Sequence, residues 1–347
     1  MEHMKEVKHM QKFKNITEKR EFRTFVFLVA IFVVVGLVNS EFLSLGNIHD
    51  SLKSSLLYIV LAVGLTFVLL TGNIDISVGG ILGLSAAVSG MILRDGGSIL
   101  LAIVVAIGIG GLVGLINGLG VTKLKISSFI MTLGMLEITR VVQVIYTDGQ
   151  WVENLPVAFK QLAQINVLGI NLLSILVVTG LILVHLYLIK NKKGRYFSAI
   201  GDNQEGAILL GIPVQRYVTY SFVISGVCSA LAGLIFASQI GFISTTAGLG
   251  IEMTVIAAAV LGGVSLSGGV GSVIGAGIGA IIMISINSAL VYMKVPAFWN
   301  DAISGTLLIV IVVTDALLAR KANKQAKKER LRARVLHEEE VSVDYAK

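Results

Sequence analysis

The most constraining feature of this sequence is a succession of apolar runs, many of them close to twenty residues long. A helix of about 20 apolar residues crosses the hydrocarbon core of a bilayer, because each helical residue advances about 1.5 Å. Hydrophobic residues make up 55% of the 347 residues, whereas charged residues make up only 14%. The sequence therefore predicts an all-α, polytopic membrane protein rather than a soluble domain.

The runs predict about ten transmembrane helices in a membrane domain that covers residues 24–318. Their approximate ranges are 24–38, 54–70, 76–93, 98–121, 126–146, 172–189, 217–238, 252–261, 270–290 and 299–318. The eighth run is short for a complete span, so we expect a broken or re-entrant element whose backbone other parts of the protein cover. A basic tail, 1–23, and a charged tail, 319–347, flank this domain, and we expect the first run to be an uncleaved span.

The basic residues orient the chain in the membrane. They concentrate in both tails, at Lys123 and Lys125, and in the loop 190–217. With ten spans, all of these stretches lie on one side, which the positive-inside rule assigns to the cytoplasm. We therefore expect both termini in the cytoplasm. The net charge of +7 is explained by these flanks, so membrane lipid is an expected partner and nucleic acid is not.

Small residues predict how the spans pack. Glycines recur every four residues at Gly110, Gly114 and Gly118 in the fourth run and at Gly271, Gly275 and Gly279 in the ninth. Helices in lipid associate through close backbone approach, so these faces predict helix–helix contacts.

The sequence has none of the patterns that indicate an enzyme. It contains no Walker A pattern (GxxxxGK[ST]), no nucleophile–base constellation and no cluster of metal ligands. Cys228 is the only cysteine, so it can form no internal disulfide. We expect no catalytic residues, no metal and no cofactor, and we expect any ATP hydrolysis to take place on a separate subunit.

The loop 190–217 contains the pattern of a short amphipathic helix. Asp202 or Asn203 can cap its first N–H groups, and Glu205 suits the positive end of the helix dipole. Gly211 ends the run. An isolated helix this short is unstable in water, so we expect it to pack on another surface. An ordinary polar connector is the alternative interpretation.

This loop and two further stretches resemble one family of transport proteins, the ribose-type permeases of ABC importers. The loop carries Gly194-Arg195, Ala199 and Gly201-Asp202-Asn203 in a similar order, and TGNIDISVGG (71–80) and VLGGVSLSGGVGSVIGA (260–276) are similar to the family's signatures. The resemblance implies the ABC-importer permease fold and docking of the short helix on an ATP-binding subunit. The residues it assigns to this coupling loop are Gly201, Asp202, Asn203, Glu205, Ala207 and Gly211.

Three stretches resemble a narrower group of that family, the C-type permeases of bacterial autoinducer-2 importers. They are residues 148–162, 236–253 and 295–305. The resemblance implies a bacterial cytoplasmic membrane, import of a small sugar-like quorum-sensing signal, an extracytoplasmic solute-binding protein and a second homologous permease in a heterodimeric pore. A permease for a pentose or hexose such as ribose, or an ion-coupled secondary transporter, is the alternative.

Ionisable residues inside apolar runs are candidates for function because burying them in a membrane is costly. Glu137 and Arg140 lie three residues apart in the fifth run, where they can pair on one helical face, and Gln143 is interpreted as extending that face. Two interpretations stay open: a pair that only fixes helix register, or the polar lining of a translocation path.

Residues on the outer side give the remaining candidates. Gln239 and Glu252 lie at the outer ends of the seventh and eighth runs, where they could touch a binding protein or the cargo, and they are candidates for the translocation path. Trp151 and Phe242 lie in loops that the charge rule places outside. These loops belong to the stretches that resemble autoinducer-2 permeases, and the resemblance implies that the two residues contact the solute-binding protein.

Overall fold

The computed structural model describes residues 20–167 and 169–296, and isolated positions from 299 to 313. Side-chain surroundings are described from residue 24 onward. The C-terminal tail, nearly all of the N-terminal tail and most of the predicted tenth span lie outside the described residues. The described part is almost entirely helical, with one small antiparallel pair of strands.

The helices follow in chain order with short connections. They are α1 (Arg20–Val38), α2 (Leu45–Leu70), α3 (Val78–Arg94), α4 (Ile99–Thr122), α5 (Ser128–Tyr146), α6 (Val157–Leu162), α7 (Leu172–Lys190), α8 (Lys192–Asp202), α9 (Gln204–Leu209), α10 (Val214–Ile240), α11 (Ile251–Leu261) and α12 (Val273–Tyr292). A 3₁₀ turn, Ser40–Leu43, joins α1 to α2, and the strands β1 (Asn166–Val167) and β2 (Ile170–Asn171) precede α7.

Nine of the predicted runs correspond to apolar helices among the described residues. Six of these, α2, α4, α5, α7, α10 and α12, are long and apolar enough to cross a membrane, and α3, α11 and residues 24–38 of α1 are shorter. The second helix starts nine residues before its predicted run, because Ser44 caps it by accepting a hydrogen bond from the Asn47 N–H at 3.2 Å. Its first two turns are too polar for the hydropathy pattern to include them.

The longest helix, α10, packs against α4 through the predicted glycine face. A Cβ atom at Gly110 would overlap the carbonyl oxygen of Gly226, and one at Gly114 would overlap that of Phe222. The ninth run behaves in the same way, since Gly275 lies against Gly262 and Gly279 against Ala258. These contacts confirm that close backbone approach holds the helices together, as expected where lipid removes the hydrophobic drive.

The helix α11 is too short to cross a bilayer, as predicted. Its 11 residues span about 16 Å, roughly half of a hydrocarbon core of about 30 Å. The loop 262–272 that follows lies against the end of α2, where the Gly269 N–H donates to the Leu70 carbonyl at 3.0 Å. Protein therefore covers the irregular backbone, which is the condition under which such an element is tolerated at membrane depth.

Candidate translocation and coupling sites

An ion triplet joins α5 to the beginning of α11. One terminal nitrogen of Arg140 lies 2.9 Å from Oε1 of Glu137, and the other lies 2.8 Å from Oε1 of Glu252. The spacing-based pair is therefore present, but Glu252 is the better buried partner, with 7% of its side chain exposed against 62% for Glu137. Two carboxylates surround one guanidinium, so the cluster carries a formal charge of −1.

Part of this cluster has no hydrogen-bond partner within the described residues. Oε2 of Glu252 and Nε of Arg140 are both buried and unpaired. The Glu252 carboxylate lies directly against the first turn of α3, because a Cβ atom at Gly79 would overlap Oε2. The accessible group of the cluster is therefore the exposed Glu137 carboxylate, an acceptor of the kind that binds hydroxylated solutes, whereas the two unpaired atoms are buried.

Two other predicted path residues are occupied with structural contacts. Gln143 is 1% exposed and donates to the carbonyls of Ser244 and Thr245 at 3.2 and 3.4 Å, so it does not extend the exposed face of Glu137. The interpretation was wrong because six helical residues turn about 600°, which places Gln143 far around the helix from Glu137. Gln239 donates to the Lys53 carbonyl at 3.0 Å and thereby ties α10 to α2.

A second buried polar cluster fixes the entrance of α3. Asp75 is fully buried and accepts hydrogen bonds from the Ser77 N–H, the Ser77 hydroxyl and the Ser225 hydroxyl at 3.0, 2.6 and 2.7 Å. The side-chain amide of Asn117 donates to the Ser77 hydroxyl at 2.9 Å. The cluster thus joins α3, α4 and α10 through side chains that are far apart in the sequence.

On the outer side, the two aromatic candidates form one surface. The rings of Trp151 and Phe242 stack with centroids 5.5 Å apart and an interplanar angle of 13°. Below them, Val152 and Ile243 exchange two backbone hydrogen bonds of 2.9 Å, and both side chains are buried. The structure therefore brings together two outer loops that lie about ninety residues apart in the chain, and leaves the stacked rings 54% and 40% exposed.

The cytoplasmic loop folds into two short helices rather than one. The first, α8, ends at Asp202, and the second, α9, begins with Asn203 as its cap, whose side chain accepts the Gly206 N–H at 2.9 Å. Glu205 is exposed in the first turn of α9, and Gly211, at φ +74°, follows its end. The predicted local pattern of this segment is confirmed.

Two residues of the predicted coupling surface are instead packed inside this chain. A Cβ atom at Gly201 would overlap the Leu70 carbonyl oxygen and lie 3.0 Å from Cα of Gly268, so Gly201 seats α8 on the end of α2. Ala207 is 2% exposed and belongs to the main hydrophobic core. Neither residue is available to a partner, because the chain's own backbone and core already occupy the space beside it.

The surface that α9 does present is apolar and was not predicted. Ile208, Leu209 and Leu210 are 57%, 88% and 80% exposed. The sequence signal was present, since these residues follow Ala207 directly, but the face of the helix that turns outward depends on how α8 and α9 pack. Three adjacent exposed aliphatic side chains form a surface typical of a protein contact.

Comparison with known proteins assigns the family. A family described as branched-chain amino acid transport system / permease component matches residues 47–312. The chain belongs to this permease family. No solved structure matches it. As a member, the permease is a transport subunit and a multi-pass protein of the cytoplasmic membrane, in agreement with its apolar helices.

Curated relatives cover nearly the whole permease. An autoinducer 2 import system permease protein, LsrC, from Escherichia coli (strain K12 / DH10B) is 41% identical over 305 residues, which are 88% of this chain and 89% of the relative. The protein of the same name from Photorhabdus laumondii is 39% identical over 317 residues, 91% of this chain and 95% of the relative.

Proposed function

We propose that this permease is the membrane-spanning subunit of an ATP-driven importer of autoinducer-2. The observation that carries the proposal is the identity of about 40% to permeases of that name over nearly the full length of the chain. ATP hydrolysis is assigned to a separate ATP-binding subunit.

The coupling surface of this proposal is α9. Its exposed residues Ile208, Leu209 and Leu210 provide an apolar patch on the cytoplasmic side, next to the acidic first turn at Glu205. The end of α8 touches both α2 and the loop 262–272, so a push on α9 reaches the broken element around α11 through backbone contacts. This arrangement supports a role in transmitting movement of the ATPase to the membrane domain.

A second permease subunit is proposed to cover the exposed face of α5. Glu137 lies near the middle of that helix and is largely exposed among apolar neighbours. A carboxylate facing lipid at this depth would cost at least about 2.5–3.5 kcal/mol, so the face requires protein or a water-filled path. A homologous permease facing this one would supply both.

The translocation path is proposed to pass the ion triplet. Glu137 offers an exposed carboxylate to the hydroxyl groups of the cargo, and Arg140, itself paired with the buried Glu252, positions that carboxylate. Gln143 and Gln239 support this site indirectly by holding the outer loop and α2. The stacked pair Trp151 and Phe242 is proposed as the contact for the extracytoplasmic solute-binding protein.

Uptake by the complete importer in vesicles tests the function. Autoinducer-2 should accumulate only when ATP and the binding protein are present, and accumulation should survive a protonophore. Loss of uptake with the protonophore at constant ATP would instead indicate an ion-coupled transporter. Full competition by an equal concentration of ribose would contradict the assigned cargo.

A further inference from the structure

A basic cavity lies at the cytoplasmic side of the permease, apart from the ion triplet and next to the apolar surface of α9, with which it shares Ile208. It has a volume of about 370 Å³ and lies between the α4–α5 connection, α9 and the first turn of α10. Its polar lining consists of Lys125, Gln204, Gln215 and Arg216, and Ile208 contributes to its apolar part. The volume falls in the range of about 300–1,000 Å³ that holds small ligands in other proteins.

The charges around this cavity are not compensated. Within residues 20–167 and 169–296, neither Lys125 nor Arg216 forms an ion pair, and no carboxylate lines the cavity. Arg216 also lies in the first turn of α10, where the positive end of the helix dipole disfavours a cation. Two cations and a helix terminus therefore create a positive potential that an anion would relieve.

The backbone that carries the two cations is held in place by the fold. Lys125 adopts a left-handed backbone conformation with φ +59°, which is uncommon for a residue other than glycine. The hydroxyls of Thr122 and Thr219 lie 3.2 Å apart and hold the end of α4 against the start of α10. Because the two segments are joined in this way, the cavity exists before any ligand arrives.

The depth of the cavity favours a lipid over other anions. Lys125 lies three residues before Ser128, the first residue of α5, and Arg216 is the third residue of α10, so both lie where membrane spans leave the hydrocarbon core. Basic pockets between helices at the cytoplasmic leaflet are suited to anionic headgroups. We propose that this cavity binds the phosphate of an anionic membrane lipid, with Lys125 and Arg216 as its ligands.

The bound headgroup would also reach the coupling segment. Gln204 and Ile208 of α9 line the same cavity. A headgroup held between them and α10 positions α9 against the membrane domain. The composition of the inner leaflet therefore sets how firmly the coupling helix is held.

Lipid retention by the purified full-length chain tests this inference. The chain is reconstituted in nanodiscs of phosphatidylcholine mixed with phosphatidylglycerol, and the lipid that stays bound is identified by native mass spectrometry. Phosphatidylglycerol should be retained preferentially. Lys125→Gln with Arg216→Gln should weaken that retention on the order of 30-fold, from about 1 kcal/mol for each cation.

Matched variants separate the site from general charge effects. Lys192→Gln with Lys193→Gln removes two exposed cytoplasmic charges that do not line the cavity, and retention should stay unchanged. Lys125→Arg with Arg216→Lys keeps both positive charges, so this variant should retain phosphatidylglycerol as the unaltered chain does.

Four outcomes would overturn the proposal. Equal retention of phosphatidylcholine and phosphatidylglycerol by the unaltered chain would exclude a headgroup site. Equal losses in the cavity variant and in the Lys192/Lys193 control would reduce the effect to general charge. If inorganic phosphate raises the melting temperature of the chain in pure phosphatidylcholine, and the chain retains neither lipid preferentially, the cavity binds free phosphate. If the double glutamine variant loses association with the ATPase in both lipids while its lipid retention stays unchanged, the cavity binds a protein partner, which contradicts the proposal.

Discussion

At the scale of single residues, Arg140 joins two helices of the described membrane domain through ion pairs. Its guanidinium holds a carboxylate from its own helix and another from a helix 112 residues away. The two contacts differ in environment, because Glu252 is buried and Glu137 is exposed. Removal of Arg140 would leave Glu252 as an unpaired buried charge, whereas removal of Glu137 would leave the buried contact intact.

This difference predicts that substitutions of Arg140 and of Glu137 affect stability unequally. Arg140→Gln should destabilise the inserted protein by about 3–5 kcal/mol, the cost of breaking a buried pair. Arg140→Gln with Glu252→Gln should recover much of that loss, because no buried charge remains alone. Glu137→Gln should leave the melting temperature in detergent nearly unchanged. A double variant that melts no higher than Arg140→Gln alone would show that the two residues are not coupled.

The stacked aromatic pair supports a prediction on the outer side. Trp151→Ala and Phe242→Ala should each raise the binding-protein concentration needed for half-maximal uptake about tenfold or more, as truncation of an aromatic hot spot does. Melting temperatures should change little, because the buried Val152–Ile243 bridge still joins the loops.

The control for this pair is Leu249→Ala, which truncates an exposed apolar residue of the same outer loop. It should leave half-maximal uptake where it is. Unchanged uptake in both aromatic variants at limiting binding protein would remove the pair from the contact surface.

The sequence predicted residue pairs well only where they are local. Glu137 and Arg140 could be paired by their spacing, and Asn203 could be identified as a cap. The contact of Arg140 with Glu252 could not be predicted, because it depends on how α5 and α11 both pack beside α3. The same holds for Asp75 and Ser225, which meet only after α10 has packed beside α3.

At the scale of helices, the cytoplasmic segment has two sides with different roles, which the sequence pattern did not distinguish. The buried side of α8 and α9, including Gly201 and Ala207, attaches the segment to the membrane domain. The exposed tip of α9, including Leu209 and Leu210, faces away from it. Variants of the two sides should therefore fail in different ways.

Leu209→Ser with Leu210→Ser should weaken association with the ATP-binding subunit at least about tenfold while the permease stays folded. Exposed substitutions of this kind usually change folding stability by no more than about 0.5 kcal/mol. The measurement is co-purification of the ATPase together with the melting temperature of the permease. Full ATPase association in this variant would remove α9 as the docking helix.

Gly201→Val and Ala207→Trp provide the contrast. Both add volume to filled space, so they should lower the amount of folded permease, at about 1–3 kcal/mol for an overpacked site. The ATPase association per folded molecule should fall much less than in the leucine variant. A well-folded Ala207→Trp protein that lacks its ATPase would restore Ala207 to the docking surface.

At the scale of the whole molecule, the apolar periodicity predicted nine helices of the described part. It failed at their ends, since polar first turns such as that of α2 follow capping residues rather than hydropathy. It also could not assign which faces meet another subunit. The exposed Glu137 on α5 supplies that information, because only the folded chain reveals which side of the helix is left open.

The proposed partner on α5 can be tested by cross-linking. Gly134 lies on the exposed face of α5 with space for a side chain, and so does Gly108 on α4. In a Cys228→Ser background, Gly134→Cys should form an oxidative or short-linker cross-link to the second permease in membranes, and Gly108→Cys should not. Cross-linking at Gly108 alone would place the subunit contact on α4 and contradict the proposed contact on α5.

The unequal partners of Arg140 also bear on how the chain is made. Synthesis proceeds from the N-terminus, so α5 reaches the membrane well before α11 exists. Glu137, three residues away on the same helix, can neutralise Arg140 from the start, and Glu252 joins 112 residues later. The exposed carboxylate of Glu137 thus pairs with the arginine during insertion, before Glu252 has been synthesised. Its loss should lower the yield of inserted protein rather than the stability of molecules that have already been inserted.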